Sequence, residues 1–118
     1  MQKPDCIFCK LANGEISTAM VYENDQIACF KDASPQAQTH VLIVPKQHYH
    51  DIEDLGRTAS GRDDAAAVLA AVPKIAAILG VGDSGYRVIN NCGSGAGQTV
   101  FHVHFHLLSD PKLKDKLV

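Results

Sequence analysis

The chain has 118 residues, 46% hydrophobic and 20% charged, with a formal net charge of −2. That suits a single domain spanning 1–118 with a real core. It excludes a disordered chain, and without strongly basic runs it excludes an extended nucleic-acid footprint. No apolar stretch is long enough to cross a bilayer and no signal-peptide pattern opens the sequence, so four reduced cysteines (Cys6, Cys9, Cys29, Cys92) and a cytoplasmic location are expected.

In chain order, Ile7 to Gly14 reads as a short helix stopped by Asn13-Gly14. "AMVYEN" and "QIACFKD" read as a hairpin turning at Asn24-Asp25. "SPQAQ" is a loop. Thr39 to Lys46, "THVLIVPK", is a β-branched apolar run that Pro45 ends, and it predicts a buried central strand. Asp51 to Asp64 is polar with interspersed glycine, which predicts irregular chain containing a helical turn. In the following "DDAAAVLAAVPKIAAILG", Val68, Val72, Ile75 and Leu79 form one helical stripe. Asp63 and Asp64 suit the positive end of that helix and Gly80 its stop, while Pro73 predicts a kink or two shorter helices. Tyr86 to Asn90 reads as a strand, "NCGSGAG" as a glycine-rich loop, and "SDPKLKDKLV" as a surface tail. The sum is an α+β fold: about five strands in an antiparallel sheet, one long helix and one or two short ones.

The informative stretch is "QTVFHVHFHLL", Gln98 to Leu108, which holds three of the six histidines. Strand alternation would put His102, His104 and His106 on one face, and Val103, Phe105 and Leu107 toward a core. Crowding three imidazoles costs desolvation and, on protonation, repulsion, so packing alone does not explain them. Two chemistries do. His-x-His can place two ring nitrogens on a metal ion. Alternatively, a neutral imidazole can attack phosphorus and leave again, with its neighbours binding phosphate oxygens or moving protons. The preceding "GSGAGQT", Gly93 to Thr99, offers backbone N–H groups that an anion can approach closely, which favours phosphate chemistry. Cys6-x-x-Cys9 could be a zinc half-site, a redox pair or chance. His48 and one histidine of the triplet would complete a Cys2His2 zinc site.

The run His102-Val103-His104-Phe105-His106-Leu107-Leu108 matches the His-φ-His-φ-His-φ-φ signature (φ, apolar) of the histidine-triad superfamily. "DCIFCKLANGEI", "SPQAQTHVLIVPKQH" and "YRVINNCGSGAGQTVFHVHFH" resemble its Hint branch, the nucleoside phosphoramidate hydrolases. The resemblance spans nearly the whole chain. It implies an α+β homodimer, paired through long helices and edge strands, that acts on a purine nucleotide substrate. His104 would be the nucleophile at the α-phosphate. His106 would contact the phosphate and move protons, with His40 beside the triad. Gln98 and Thr99 would meet the phosphate or leaving group, Asp32 the ribose hydroxyls and Asn91 the sugar-phosphate region. Ile7, Phe8, Leu11, Ile16 and Phe30 would line the purine pocket. Structural Zn²⁺ would sit on Cys6, Cys9, His48 and His102, which leaves His104 free for covalent chemistry.

One departure is the absence of Trp, since the familiar Hint enzymes carry one in the C-terminal tail. A Fhit-like dinucleoside polyphosphate hydrolase would use the same triad, but that branch usually lacks the N-terminal CxxC. The same residues would also suit a nucleotide-binding signalling module with little catalysis, or a zinc metallohydrolase that uses the three histidines directly.

Overall fold

The computed structural model of the chain describes residues 2–113; residues 114–118 of the expected surface tail lie outside them. Helix α1 (Ile7–Ala12) leads to strands β1 (Met20–Glu23), β2 (Ile27–Lys31) and β3 (Thr39–Pro45). Helices α2 (Ile52–Arg57) and α3 (Ala59–Leu79) follow, then β4 (Arg87–Ile89), a 3-10 turn at Ser94–Ala96 and β5 (Phe105–Ser109). All strand pairings are antiparallel, in the order β1-β2-β3-β5-β4. The β1–β2 turn is set by Asn24, whose Oδ1 accepts the N–H groups of Gln26 and Ile27 at 2.8 and 3.0 Å.

The two-residue period of the strands divides the protein into two layers of packing. Ile27, Cys29, Val41, Ile43 and Leu107 face α3 and meet Val68, Ala71, Val72, Ile75 and Ala76. Ala28, Phe30, Leu42 and Val44 face the other way, onto Phe8, Cys9 and Ala12 of α1. β3 is covered on both faces, which is why its sequence is a continuous apolar run rather than an alternating one. His40 and His106 take α1-side positions in this alternation, because His106 pairs with Leu42 and His40 with Leu108. The sheet thereby presents histidines on the face opposite its long helix.

Three sequence expectations are corrected. Asp51 to Asp64 is helical over most of its length, because two side chains supply helix starts that composition alone obscured. Asp51 caps α2 by accepting the Asp54 N–H, and Thr58 caps α3 by accepting that of Gly61. Gly61 is required there, since a Cβ would collide with the Leu55 carbonyl of α2. Asp64 is therefore not at the helix start. It is buried inside α3, accepting from the Tyr49 hydroxyl at 2.7 Å and from Gln26 Nε2 at 3.0 Å. Of the two outcomes expected at Pro73, a kink or two shorter helices, the second does not occur: α3 runs through Pro73 to Gly80, which stops it at φ 72°. Pro73 lies on the exposed side, one turn after exposed Leu69, so water can serve the carbonyl that loses its N–H partner.

The third correction concerns the histidine strand. β5 begins only at Phe105, so His106 is in the ladder while His102, in a bend, and His104 precede it. The ladder stops because its next partners are engaged elsewhere. Pro45 O accepts from the His102 ring at 2.8 Å, and Val103 N–H donates to Tyr49 O at 2.7 Å. Val103 and Leu107 are buried and Phe105 packs against them, so the apolar set still faces the core.

Candidate active site

The lead-in to β5 sends its histidines to two different places. His102 is fully buried, and its Nδ1 lies 3.3 Å from both Cys6 Sγ and Cys9 Sγ. Cys9 Sγ is also 3.5 Å from His48 Nδ1. The thiols converge because Cys6 is the N-cap of α1, its sulfur accepting the Cys9 N–H at 3.2 Å. His102 Nε2 donates to Pro45 O, which leaves a lone pair on Nδ1 facing the sulfurs.

The four ligand atoms lie within 4.8 Å of one another. Tetrahedral zinc with thiolate and imidazole ligands has edges of about 3.3 to 3.8 Å, so the set fits with little adjustment. Burial lowers the His102 pKa to about 4 and also lowers that of His48, which keeps both rings available as neutral ligands. Burial pushes the Cys9 thiol up to about 11. A bound divalent cation would reverse that cost by stabilising thiolate. Cys6, Cys9, His48 and His102 could therefore hold a metal ion.

His104 follows two residues later in the lead-in to β5 and borders Phe8, as His102 does. Its Nδ1 is 2.8 Å from the His102 carbonyl. A carbonyl only accepts, so Nδ1 carries the proton and Nε2 of the neutral ring keeps its lone pair. Asn90, which the sequence did not single out, donates from Nδ2 to the His104 carbonyl at 2.9 Å and fixes the backbone there. Phe8 meets the ring edge-on at a centroid distance of 5.0 Å.

His106 and His40 complete the group. The His104 and His106 centroids are 5.1 Å apart, as are those of His40 and His106. His40 Nε2 is 2.8 Å from His106 Nδ1 and 3.4 Å from Asp32 Oδ2. Burial holds His106 down at about 4 and lowers His40, against which the Asp32 carboxylate pulls upward. Among the described residues no buried side-chain nitrogen or oxygen lacks a partner. His104 Nε2 and His106 Nε2 have none, so both are reachable from solvent.

The remaining expected residues divide. Phe8 borders His104, whereas Phe30 is buried beneath it, their rings edge-on at 5.8 Å, and supports the wall rather than forming it. Leu11 packs on the same cluster, while Ile7 and Ile16 are exposed. Asn91 is half-buried beside the glycine loop. Thr99 is exposed and lines a hollow of about 280 Å³ with Cys6, Ile7, His48 and Phe101.

Gln98 is a correction: it is buried, its Oε1 accepts the Gly93 N–H, and its Nε2 donates to the His50 and Val100 carbonyls. It braces the loop and has no amide atom left for a phosphate. The glycine loop likewise spends the N–H groups of Ala96, Gly97 and Gln98 on its own carbonyls. A cavity of about 590 Å³ elsewhere, lined by Gln38, Ser84, Tyr86 and Asp110 among others, includes no histidine. Chemistry rather than volume locates the site.

Comparison with known proteins identifies the family and the fold. Residues 13–113 match the HIT domain family. A histidine triad protein from Clostridium difficile superposes with a TM-score of 0.91 at 44% identity, over 99% of this chain and all of that one. The purine nucleoside phosphoramidase of Escherichia coli (strain K12) is 36% identical, over 88% of this chain and 86% of its own. Adenylylsulfatase HINT3 of Arabidopsis thaliana is 35% identical, over 88% of this chain but 51% of its own.

Proposed function

The chain belongs to the HIT family, and from that premise we propose that it hydrolyses purine nucleoside 5′-phosphoramidates or related AMP derivatives through a nucleotidyl-histidine intermediate. The observation that carries this reading is the 2.8 Å contact from His104 Nδ1 to the His102 carbonyl, which commits the ring to Nε2 as its nucleophilic atom. The relatives named as phosphoramidase and adenylylsulfatase support an enzyme acting on nucleotides.

In the first step Nε2 of His104 bonds to the α-phosphorus and the phosphorus–nitrogen bond breaks. Its electron pair goes to the amine, which takes a proton from solvent while the neutral His106 keeps its Nε2–H and donates it as a hydrogen bond to the phosphate oxygens. His104, bonded at both nitrogens, is then cationic. His40 Nε2–H, donated to His106 Nδ1, fixes that ring so that its Nε2–H faces the substrate. In the second step a water oxygen attacks phosphorus and its proton passes to solvent, so the bond to His104 breaks, the electron pair returns to Nε2 and the nucleoside monophosphate leaves.

Asp32 would meet the ribose hydroxyls, and Asn91 and Thr99 the sugar-phosphate and leaving group. Phe8, Ile7, Leu11 and Ile16 would flank the purine. Zn²⁺ on Cys6, Cys9, His48 and His102 would be structural, clamping α1 to the strap before β5. Reduced thiols suit a cytoplasmic location.

The direct test mixes the chain with adenosine 5′-phosphoramidate and maps its mass. An adenylyl adduct on His104, followed by AMP release, is expected. Tight binding with neither adduct nor AMP would leave only a nucleotide-binding module, and preference for a dinucleoside polyphosphate would favour the Fhit-like reading.

We also propose a homodimer. Leu69 (68% exposed) and Ile78 (56%) stand out from α3, and Val88 (40%) lies on the edge strand β4. Sedimentation at micromolar concentration is expected to give twice the 12.7 kDa chain mass; a monomer at all concentrations sinks this assembly. No described helix is long and apolar enough to cross a membrane.

A further inference from the structure

Among the described residues two clusters have the composition of a metal site. Cys6, Cys9, His48 and His102 converge, and so do Asp32, His40 and His106, each set with its ligand atoms within 4.8 Å. Two imidazoles and a carboxylate are a competent ligand set for first-row divalent metals. The backbone nevertheless distinguishes the two clusters.

Gln36 N–H lies 3.0 Å from His40 Nδ1. A peptide N–H only donates, so Nδ1 must hold a lone pair and the single proton of the neutral ring must be on Nε2. That is the atom facing His106 Nδ1 at 2.8 Å and Asp32 Oδ2 at 3.4 Å. A metal among these three residues would need the lone pair on Nε2. To supply it, His40 would have to carry its proton on Nδ1, against the Gln36 N–H, and that hydrogen bond would be lost. In the thiol cluster the wiring is reversed: a carbonyl, Pro45 O, takes the Nε2 proton of His102 and frees Nδ1 for a metal.

We propose that the Gln36 backbone N–H is a positioning group that selects the His40 tautomer, keeping the Asp32–His40–His106 cluster free of metal and directing the His40 proton to His106.

The loop between β2 and β3 is built to hold this N–H in place. Alternate N–H groups along it are each taken by a side chain: Ser34 by Asp32 Oδ1 at 2.7 Å, Gln36 by His40, and Gln38 by Asp110 Oδ2 at 2.8 Å. The Gln36 amide adds a bond to Ser34 O at 3.0 Å. The ionisable groups facing the His40–His106 pair are Asp32 from the end of β2 and His104 from the lead-in to β5. Burial outweighs Asp32 in lowering both rings, so at neutral pH the choice is between two neutral tautomers.

The inference rests on the hydrolase reading only for the use that His106 makes of its proton. It is tested without substrate, so the two can fail separately. In the zinc-loaded, full-length, ¹⁵N-histidine-labelled protein at neutral pH, NMR is expected to show His40 Nδ1 unprotonated and Nε2 protonated. Zn²⁺ added beyond one equivalent is expected to leave the His40 and His106 resonances unmoved. Protonated Nδ1 on His40, or a second Zn²⁺ shifting these two rings, would overturn the proposal.

Gln36→Ala, which keeps the N–H, is expected to preserve the tautomer. Gln36→Pro, which deletes it, is expected to populate Nδ1–H and to bind a second equivalent of Zn²⁺ through His40 and His106. A folded Gln36→Pro chain that keeps Nε2–H and takes no second Zn²⁺ would show that another group makes the selection. If that variant does not fold, the measurements on the wild-type chain decide.

Discussion

His104→Ala is expected to lower kcat by about 10⁴- to 10⁶-fold, the range seen when a covalent nucleophile is deleted. At about 1.4 kcal/mol per decade, that is about 5 to 8 kcal/mol of transition-state stabilisation. The size follows from the wiring. His102 spends both ring nitrogens, one on Pro45 O and one toward the thiols. His106 presents its Nδ1 to His40 and keeps a proton on Nε2. Of the three, His104 alone has a lone pair on a nitrogen reachable from solvent. The adenylyl adduct should vanish with the activity. Metal content should stay at the wild-type value, because His104 offers no ligand atom to the thiol cluster and meets His102 through its carbonyl and the shared Phe8 ring. Loss of the edge contact with Phe8 makes a parallel thermal melt necessary. A variant that is folded and metal-replete and still turns over at near wild-type rate would rule out covalent catalysis by this ring.

Cys6→Ala is expected to release bound zinc on dialysis and to destabilise the fold by about 3 kcal/mol or more, while measurable turnover survives. Removing one of four ligands leaves buried groups converging without their cation, the kind of broken network that accounts for large mutational losses. The effect should be structural because the metal-capable cluster ties α1 to the segments carrying His48 and His102. Those segments are already joined by Val103 N–H to Tyr49 O and by Gln98 Nε2 to His50 O. These bonds hold the strap before β5 when the metal is gone, so His104 keeps its place less firmly but does not lose its chemistry. Elemental analysis, urea unfolding and initial rates on the same preparation separate the contributions. Unchanged zinc content would remove Cys6 from the ligand set. Immediate and complete loss of activity in a chain that remains folded would favour direct metal hydrolysis by the three histidines.

Much of this protein was legible in its sequence because the signals were local. β3 announced itself by an apolar run ended at Pro45, the α3 stripe by its helical spacing, and its stop by Gly80. The triplet of histidines marked the family, and the alternation of Val103, Phe105 and Leu107 correctly named the apolar side. The errors fell where a residue's nearest partner is distant in the chain. Asp64 looked like a helix-start carboxylate, but Tyr49 and Gln26 hold it inside the fold. The resemblance offered Gln98 as a contact to the phosphate or the leaving group, but Gly93, His50 and Val100 engage its amide. Asn90 was not singled out, because nothing local says that its amide reaches His104 O.

Sequence by itself determined which groups are available: six imidazoles, a CxxC pair and the apolar period that puts strands and helix together. Only the tertiary structure decided what each imidazole does. A histidine's role depends on which ring nitrogen keeps its proton, and that is set by whether a carbonyl or an N–H meets the other nitrogen. Pro45 O meets His102 across 57 positions of chain, His102 O meets His104, and Gln36 N–H meets His40. Three chemically identical side chains thereby offer different atoms: His102 a lone pair on Nδ1 beside the thiols, His104 a lone pair on Nε2, and His40 a proton on Nε2.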